Sequence, residues 1–150
     1  MKSIVIYESV HHGNTEKVAK AMVEELNAEC IRAQDLNLEK LKDYDLIGFG
    51  SGIFYNKFHK NILKLVGNIG KVNGKKAVVF STSGQGRESS NKSLRKQLEE
   101  KGFKVIGSFA CKGFDTFGPL KLLGGIGKGR PDQKDIEEAK KFVLGLEKNL

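Results

Sequence analysis

Five short apolar runs alternate with stretches of helical spacing along this chain, and that alternation restricts the fold more than any other feature. Ser3–Tyr7 is β-branched, apolar and too short for a helix, so it reads as a strand. Beyond it Val18, Met22 and Leu26 recur at i, i+4 and i+8, with Ala19 and Val23 alongside, giving one apolar helix face. Asn14 is the expected N-cap of this helix, and Glu16 sits favourably in its first turn. Glu29–Ala33 is a second strand, followed by a helical turn at Leu38–Leu41. Asp45–Gly50 is a third, breaking at Ser51-Gly52, and Ile62, Leu63, Leu65 and Val66 predict a helix from near His59. Ala77–Phe80 is the fourth, and Leu94 and Leu98 mark a helix capped by Ser89 or Ser90. Phe103–Cys111 is the fifth. A last helix is predicted after Pro131, with Asp132 as N-cap and Asp135 three residues on, a variant of the capping box. Its buried stripe is Ile136, Ala139, Val143 and Leu146.

This alternation implies a parallel sheet covered by helices on both faces. Right-handed crossovers place every strand-to-helix loop at one edge of such a sheet. Three of those loops, 9–15, 51–56 and 81–86, are rich in Gly, Ser and Thr. They are expected to meet at a topological switch point, the usual ligand crevice. In the first, Ser9-Val10-His11-His12 leads through Gly13-Asn14-Thr15 into a helix start, whose free N–H groups can cradle a phosphate. One segment fits the pattern poorly. Lys112–Arg130 is long, glycine-rich and dotted with Phe114, Phe117, Leu120, Leu122 and Leu123. Loops of that length serve as lids or binding loops, and packing or a dimer contact are the other uses.

The chain has 150 residues, 39% of them hydrophobic, which suits one domain spanning 1–150 with one core. No apolar run approaches the roughly 20 residues of a membrane span. The N-terminus lacks the features of a signal peptide, so a cytoplasmic place is expected. Cys30 and Cys111 form no CxxC pair and are expected to be small buried apolar residues. The net charge of +8 is unevenly placed: −3 over residues 1–50, +12 over 51–131 and −1 over 132–150. No acidic residue lies between Asp45 and Glu88. Such a field steers anionic ligands or acidic proteins, although a solvated lysine-rich surface would have the same composition.

The three loops carry a resemblance. Ser9…Gly13-Asn14-Thr15 resembles the phosphate loop of flavodoxins, whose usual pattern is a hydroxyl residue followed by T-G-N-T. Asp45-Leu-Ile-Gly-Phe-Gly-Ser-Gly-Ile-Phe-Tyr is similar to their third strand and first flavin loop, and Ala77-Val-Val-Phe-Ser-Thr-Ser-Gly-Gln-Gly to the fourth strand and second flavin loop. The resemblance covers residues 1–111 and the last helix. It implies a flavodoxin-like, doubly wound, five-stranded parallel sheet of order 2-1-3-4-5 that binds FMN non-covalently. It also implies site residues. Ser9, His11, His12, Gly13, Asn14 and Thr15 would hold the phosphate. Ser51, Gly52, Ile53, Phe54 and Tyr55 would flank one side of the ring, and Thr82, Ser83, Gly84, Gln85 and Gly86 its other edge. The chemistry agrees: a phosphate dianion suits a helix start with hydroxyl donors, and a flat ring needs small residues at its polar edge and an apolar face for stacking.

The chain departs from the family pattern in three ways. Val10-His11-His12 replaces the Gly-Thr part of the loop and is one residue longer, so imidazole N–H groups take the donor role. The second flavin loop has no aromatic residue, which leaves stacking to Tyr55 or Phe54, with Phe114 or Phe117 from the long loop. Flavodoxins are acidic, whereas this flavin region is basic. Basic surroundings favour the anionic reduced flavin, so the second reduction step should be less negative than in an acidic flavodoxin.

Other readings fail on particular residues. A response regulator needs an acidic pair after the first strand and an Asp after the third, and these positions hold Glu8-Ser9 and Gly50-Ser51. Neither cysteine begins a Cys-x5-Arg phosphatase loop. Gly124-Gly-Ile-Gly-Lys128-Gly129 hints at a P-loop, but no Gly lies five residues before Gly127 and Gly129 replaces the magnesium-binding hydroxyl. No G-x-G-x-x-G follows a strand. His11 and His12 with His59 have poor geometry for one metal ion. The expectation is an electron carrier with no catalytic side chain and no metal. Lys57, Lys60, Lys64 and Arg87 would ring the flavin edge and attract an acidic redox protein or an anionic small-molecule reductant. The alternative is an FMN-dependent NAD(P)H–quinone or protoporphyrinogen-type oxidoreductase. A nucleic-acid module would need aromatic residues interleaved with the charge, which are missing. Oligomeric state is left open.

Overall fold

In the computed structural model, which describes residues 1–10, 12–116, 124–148 and 150, the strand Ser3–Glu8 (β1) lies inside a parallel sheet. Its side chains alternate between faces, so Ile4 and Ile6 enter one core and Val5 and Tyr7 the other. The chain continues through Asn14–Leu26 (α1), Glu29–Arg32 (β2), two 3₁₀ turns and Leu46–Phe54 (β3). Lys57–Phe58 (β4), Lys60–Asn68 (α2), Lys76–Ser83 (β5), Lys92–Glu100 (α3), Lys104–Lys112 (β6) and Gln133–Glu147 (α4) follow. The sheet order is β2-β1-β3-β5-β6, all parallel. Counting those five strands alone, this is the expected 2-1-3-4-5. The addition is β4, two residues antiparallel to the end of β3 across the turn Tyr55-Asn56, both at positive φ.

Helices α1 and α4 cover one face, where Val18, Met22, Ala139 and Val143 pack with Val5, Val78 and Phe80. Helices α2 and α3 cover the other, where Ile62, Val66, Leu94 and Leu98 pack with Ile6, Ile47, Phe49 and Val79. Each fully buried aliphatic side chain contributes about 1.5–3 kcal/mol. Gly50 shows how closely the sheet is filled: a Cβ there would lie 2.2 Å from the ring of its register partner Phe80.

Several local expectations change in three dimensions. Asn14 is the first residue of α1, not its cap; Gly13 takes the N-cap position at φ 65°, and Ser9 Oγ accepts from Glu16 N at 3.2 Å in place of a cap side chain. A 3₁₀ turn, Glu88–Asn91, precedes α3, and neither Ser89 nor Ser90 caps it. Buried Asn91 anchors that turn, donating to Ser108 Oγ and Phe109 O at 2.9 Å and accepting from Ser81 Oγ. Asp132 and Asp135 do form the capping box of α4. Cys111 is buried and its thiol is pushed up to about 12 by burial. Cys30 is exposed on the edge strand β2, next to exposed Glu29, because the sheet has no strand beyond β2 to help cover that end. His11, Phe117, Leu120, Leu122 and Leu123 lie outside the described residues.

Candidate functional site

The switch point falls between β1 and β3, whose chain connections leave in opposite directions along the sheet. There the three small-residue loops meet. Asn14 and Thr15, then Gly52, Ile53 and Phe54, then Thr82 and Ser83 line one cleft of about 30 Å³. Thr15 Oγ1 and Thr82 Oγ1 share a buried hydrogen bond of 2.8 Å, which ties the first loop to the third. His12 and Gly13 both stand at positive φ, turning the backbone sharply into α1. The N–H groups of Asn14 and Thr15 consequently find no acceptor among the described residues. Asn14 Oδ1 is buried at the same place without a partner among the described residues.

The start of the long segment that the sequence offers as a lid, a binding loop, packing or a dimer contact borders this cleft. Gly113, Phe114 and Asp115 line it together with Val10. Asn14 Nδ2 donates to Phe114 O at 2.8 Å, and the His12 ring stacks on Phe114 at 4.3 Å. His12 Nε2 lies 3.1 Å from Thr116 Oγ1. The chain returns through Ile126, which bridges to Asp115 by a pair of backbone hydrogen bonds. Ile126 packs against Gly84, where a Cβ would lie 2.1 Å from its Cδ1. The strap is pinned at its far end. Arg130 donates two hydrogen bonds to buried Asp135, and its carbonyl accepts from Phe114 N at 2.8 Å. Those bonds hold the Asp135 carboxyl below the usual carboxylate range. The sequence signal for the strap was its apolar residues in a segment too long for an ordinary connection; its seat on Gly84 had none.

A second, larger cavity of about 510 Å³ adjoins the cleft and shares Ile53, Ser83 and Asp115 with it. Tyr55, Gly84 and Gln85 line it, as do Asn56, Arg87 and residues at the start of α3 that the sequence did not single out. Ser9, His12, Gly13, Ser51 and Gly86 line neither space. Ser51 is fully buried, and its hydroxyl donates to Gly52 O and accepts from His59 N, so it closes the turn into α2. Gly86 is pressed against β6, and its N–H donates to Ser83 Oγ at 2.8 Å. Phe54 lines the cleft and meets the His59 ring edge-on at 5.9 Å. Burial moves His59 below its usual range, and its Nδ1 accepts from Asn61 N at 3.0 Å. Beside it Glu8, 3% exposed, ends β1 with its carboxylate 3.6 Å from Arg32. No cluster of three or more metal-ligating side chains occurs among the described residues.

The family model described as "Flavodoxin domain" matches residues 4–114. The chain belongs to the flavodoxin family. A relative that is itself an uncharacterized protein, from Methanocaldococcus jannaschii, is 45% identical over 99% of this chain and 100% of its own. Among solved structures, a flavodoxin from the domain Archaea superposes with a TM-score of 0.75 at 23% identity, covering 99% of this chain and 98% of that one. Oxidised flavodoxin 1 from Bacillus cereus gives 0.73 at 20% identity, covering 100% and 99%. At that identity these structures speak for the fold. In this flavodoxin the family match runs through all three loops and ends at Phe114, on the strap.

Proposed function

We propose that this flavodoxin binds FMN non-covalently and works as an electron carrier. The observation that carries the reading is the start of α1, where the backbone N–H groups of Asn14 and Thr15, without acceptors among the described residues, stand beside the paired hydroxyls of Thr15 and Thr82. That donor set suits a phosphate dianion, and the helix dipole adds to it. Unpartnered Asn14 Oδ1 would accept from a hydroxyl of the ligand's chain. Gly52, Ile53 and Phe54 would offer the ring a small edge and an apolar face, and Ser83, Gly84 and Gln85 would supply backbone polar groups opposite. FMN, when bound, supplies one- and two-electron chemistry; the chain's own residues orient it and set its surroundings.

A cleft of about 30 Å³ holds roughly one water, against about 300 Å³ or more for a ligand pocket. Room for a phosphate at this end would be made if Gly113–Asp115, which bond and stack on Asn14 and His12, stood further back. Lys57, Lys60 and Lys64 are exposed on β4 and α2 beside the ring loop, a surface suited to an acidic redox partner. Among the described residues no helix is long and apolar enough to cross a membrane.

Titration of the protein with FMN and, separately, riboflavin tests the reading by fluorescence quenching. FMN should bind at one equivalent and riboflavin far more weakly, because only FMN uses the α1 cradle. Equal affinity for the two would remove the cradle's role, and no binding of either would overturn the proposal.

A further inference from the structure

The outer end of the larger cavity carries positive charge that nothing among the described residues answers. Arg87 and Lys92 line it, and neither side chain has an ion-pair or hydrogen-bond partner among the described residues. Glu88 lies between them in the chain and pairs with neither. The hydroxyls of Ser89, Ser90 and Ser93 line the same end, and none makes a hydrogen bond within the described protein. The carboxylate in the wall, Asp115, belongs to the inner end, where the cavity meets the cleft.

The backbone that carries these donors is braced. Gly86 N bonds Ser83 Oγ, and a Cβ on Gly86 would lie 2.8 Å from Lys112 N, so the loop before Arg87 is pressed against β6. Asn91, 1% exposed, ties the following turn to β5 and β6 through three hydrogen bonds. A guanidinium, an ammonium and three hydroxyls thus border a space of about 510 Å³ from a braced turn and the first residues of α3. A backbone already in place costs less to organise around a charged acceptor than a mobile loop does.

We propose that this outer end is a subsite for a compact oxyanion, phosphate or carboxylate, on a small molecule that lies against the ring loops Ile53–Asn56 and Ser83–Gln85. The inference deepens the FMN reading, since it places the molecule beside the loops assigned to the flavin. It differs from the docking surface proposed on β4 and α2, whose exposed cations are the lysines Lys57, Lys60 and Lys64.

The test is amide-shift mapping on ¹⁵N-labelled, FMN-saturated protein, titrated separately with inorganic phosphate, succinate and NADP⁺. Saturable shifts are expected at Gly86–Ser93. The variant Arg87→Gln/Lys92→Gln should weaken them about tenfold or more, as loss of charge-assisted bonds predicts. Its fold should be unchanged, because both side chains are exposed and unpaired. Tighter binding of succinate than of NADP⁺ would assign the subsite to a carboxylate, and the reverse order to a nucleotide phosphate. Absence of shifts at 86–93 with all three probes, or shifts equal in the variant, would overturn the proposal. Failure of the FMN reading shows separately, as no flavin signal, and the phosphate titration remains readable on the FMN-free chain.

Discussion

Replacing Thr15 by Val tests whether the first and third loops are joined as described. Valine keeps the shape and deletes the hydroxyl. Thr82, 3% exposed, then loses its 2.8 Å partner. A buried hydroxyl left without a partner costs about 1–3 kcal/mol. The adjoining cleft of about 30 Å³ has room for one water, which can take up the orphaned group and keeps the cost near the lower end, about 1–2 kcal/mol. For a chain of this size that is a fall in melting temperature of about 2–8 °C. The double variant Thr15→Val/Thr82→Val leaves no orphan and should cost less than the two single costs added, with a coupling of about 1–2 kcal/mol. Urea denaturation of the wild type, both single variants and the double variant measures the cycle, with an unchanged m-value confirming that only stability moved. Additivity within about 0.5 kcal/mol would show that the two hydroxyls do not act as a pair. FMN affinity gives an independent readout. The double variant should bind FMN about tenfold more weakly, having lost a hydroxyl donor at the phosphate end.

Asp135→Asn should destabilise the protein by about 2–4 kcal/mol, since it strips the charge from a nearly buried carboxylate that holds Arg130. The folded carboxyl lies below its unfolded value of about 3.9, so its contribution is full above that pH and is lost as pH falls through the lowered value; an acid titration of urea midpoints should show this loss in the wild type and not in the variant. Gly50→Ala should cost about 1–3 kcal/mol by driving a methyl into the Phe80 ring, whereas Gly67→Ala, with nothing within 4 Å on α2, should be neutral or stabilise by up to about 1 kcal/mol; thermal melts of the pair check the contrast. Reversing Lys57, Lys60 and Lys64 to Glu should slow electron transfer to an acidic partner at low salt, with the difference vanishing as salt screens it; a salt-independent rate in stopped flow would exclude this docking surface. Spectroelectrochemistry of the FMN-loaded protein should place the second reduction step less negative than in an acidic flavodoxin.

Periodicity and turn residues by themselves determined the five parallel strands, the main helices and the three small-residue loops at one sheet edge, while the sheet order came from the resemblance those loops carry. Those signals are local: a β-branched run, an i, i+4 stripe or an Asp132–Asp135 box reports its own backbone wherever it sits. They fail where a side chain's partner is distant in sequence. Asn14 had the composition of a cap, yet it reaches Phe114 O, 100 residues away, and leaves capping to Ser9. Ser51 looked like a ring contact, but packing turned its hydroxyl to the start of α2. Only the tertiary structure laid Gly113–Asp115 across the start of α1 and set Arg87 and Lys92 beside the larger cavity. Both depend on close approaches, Ile126 on Gly84 and Gly86 on β6, that no spacing encodes.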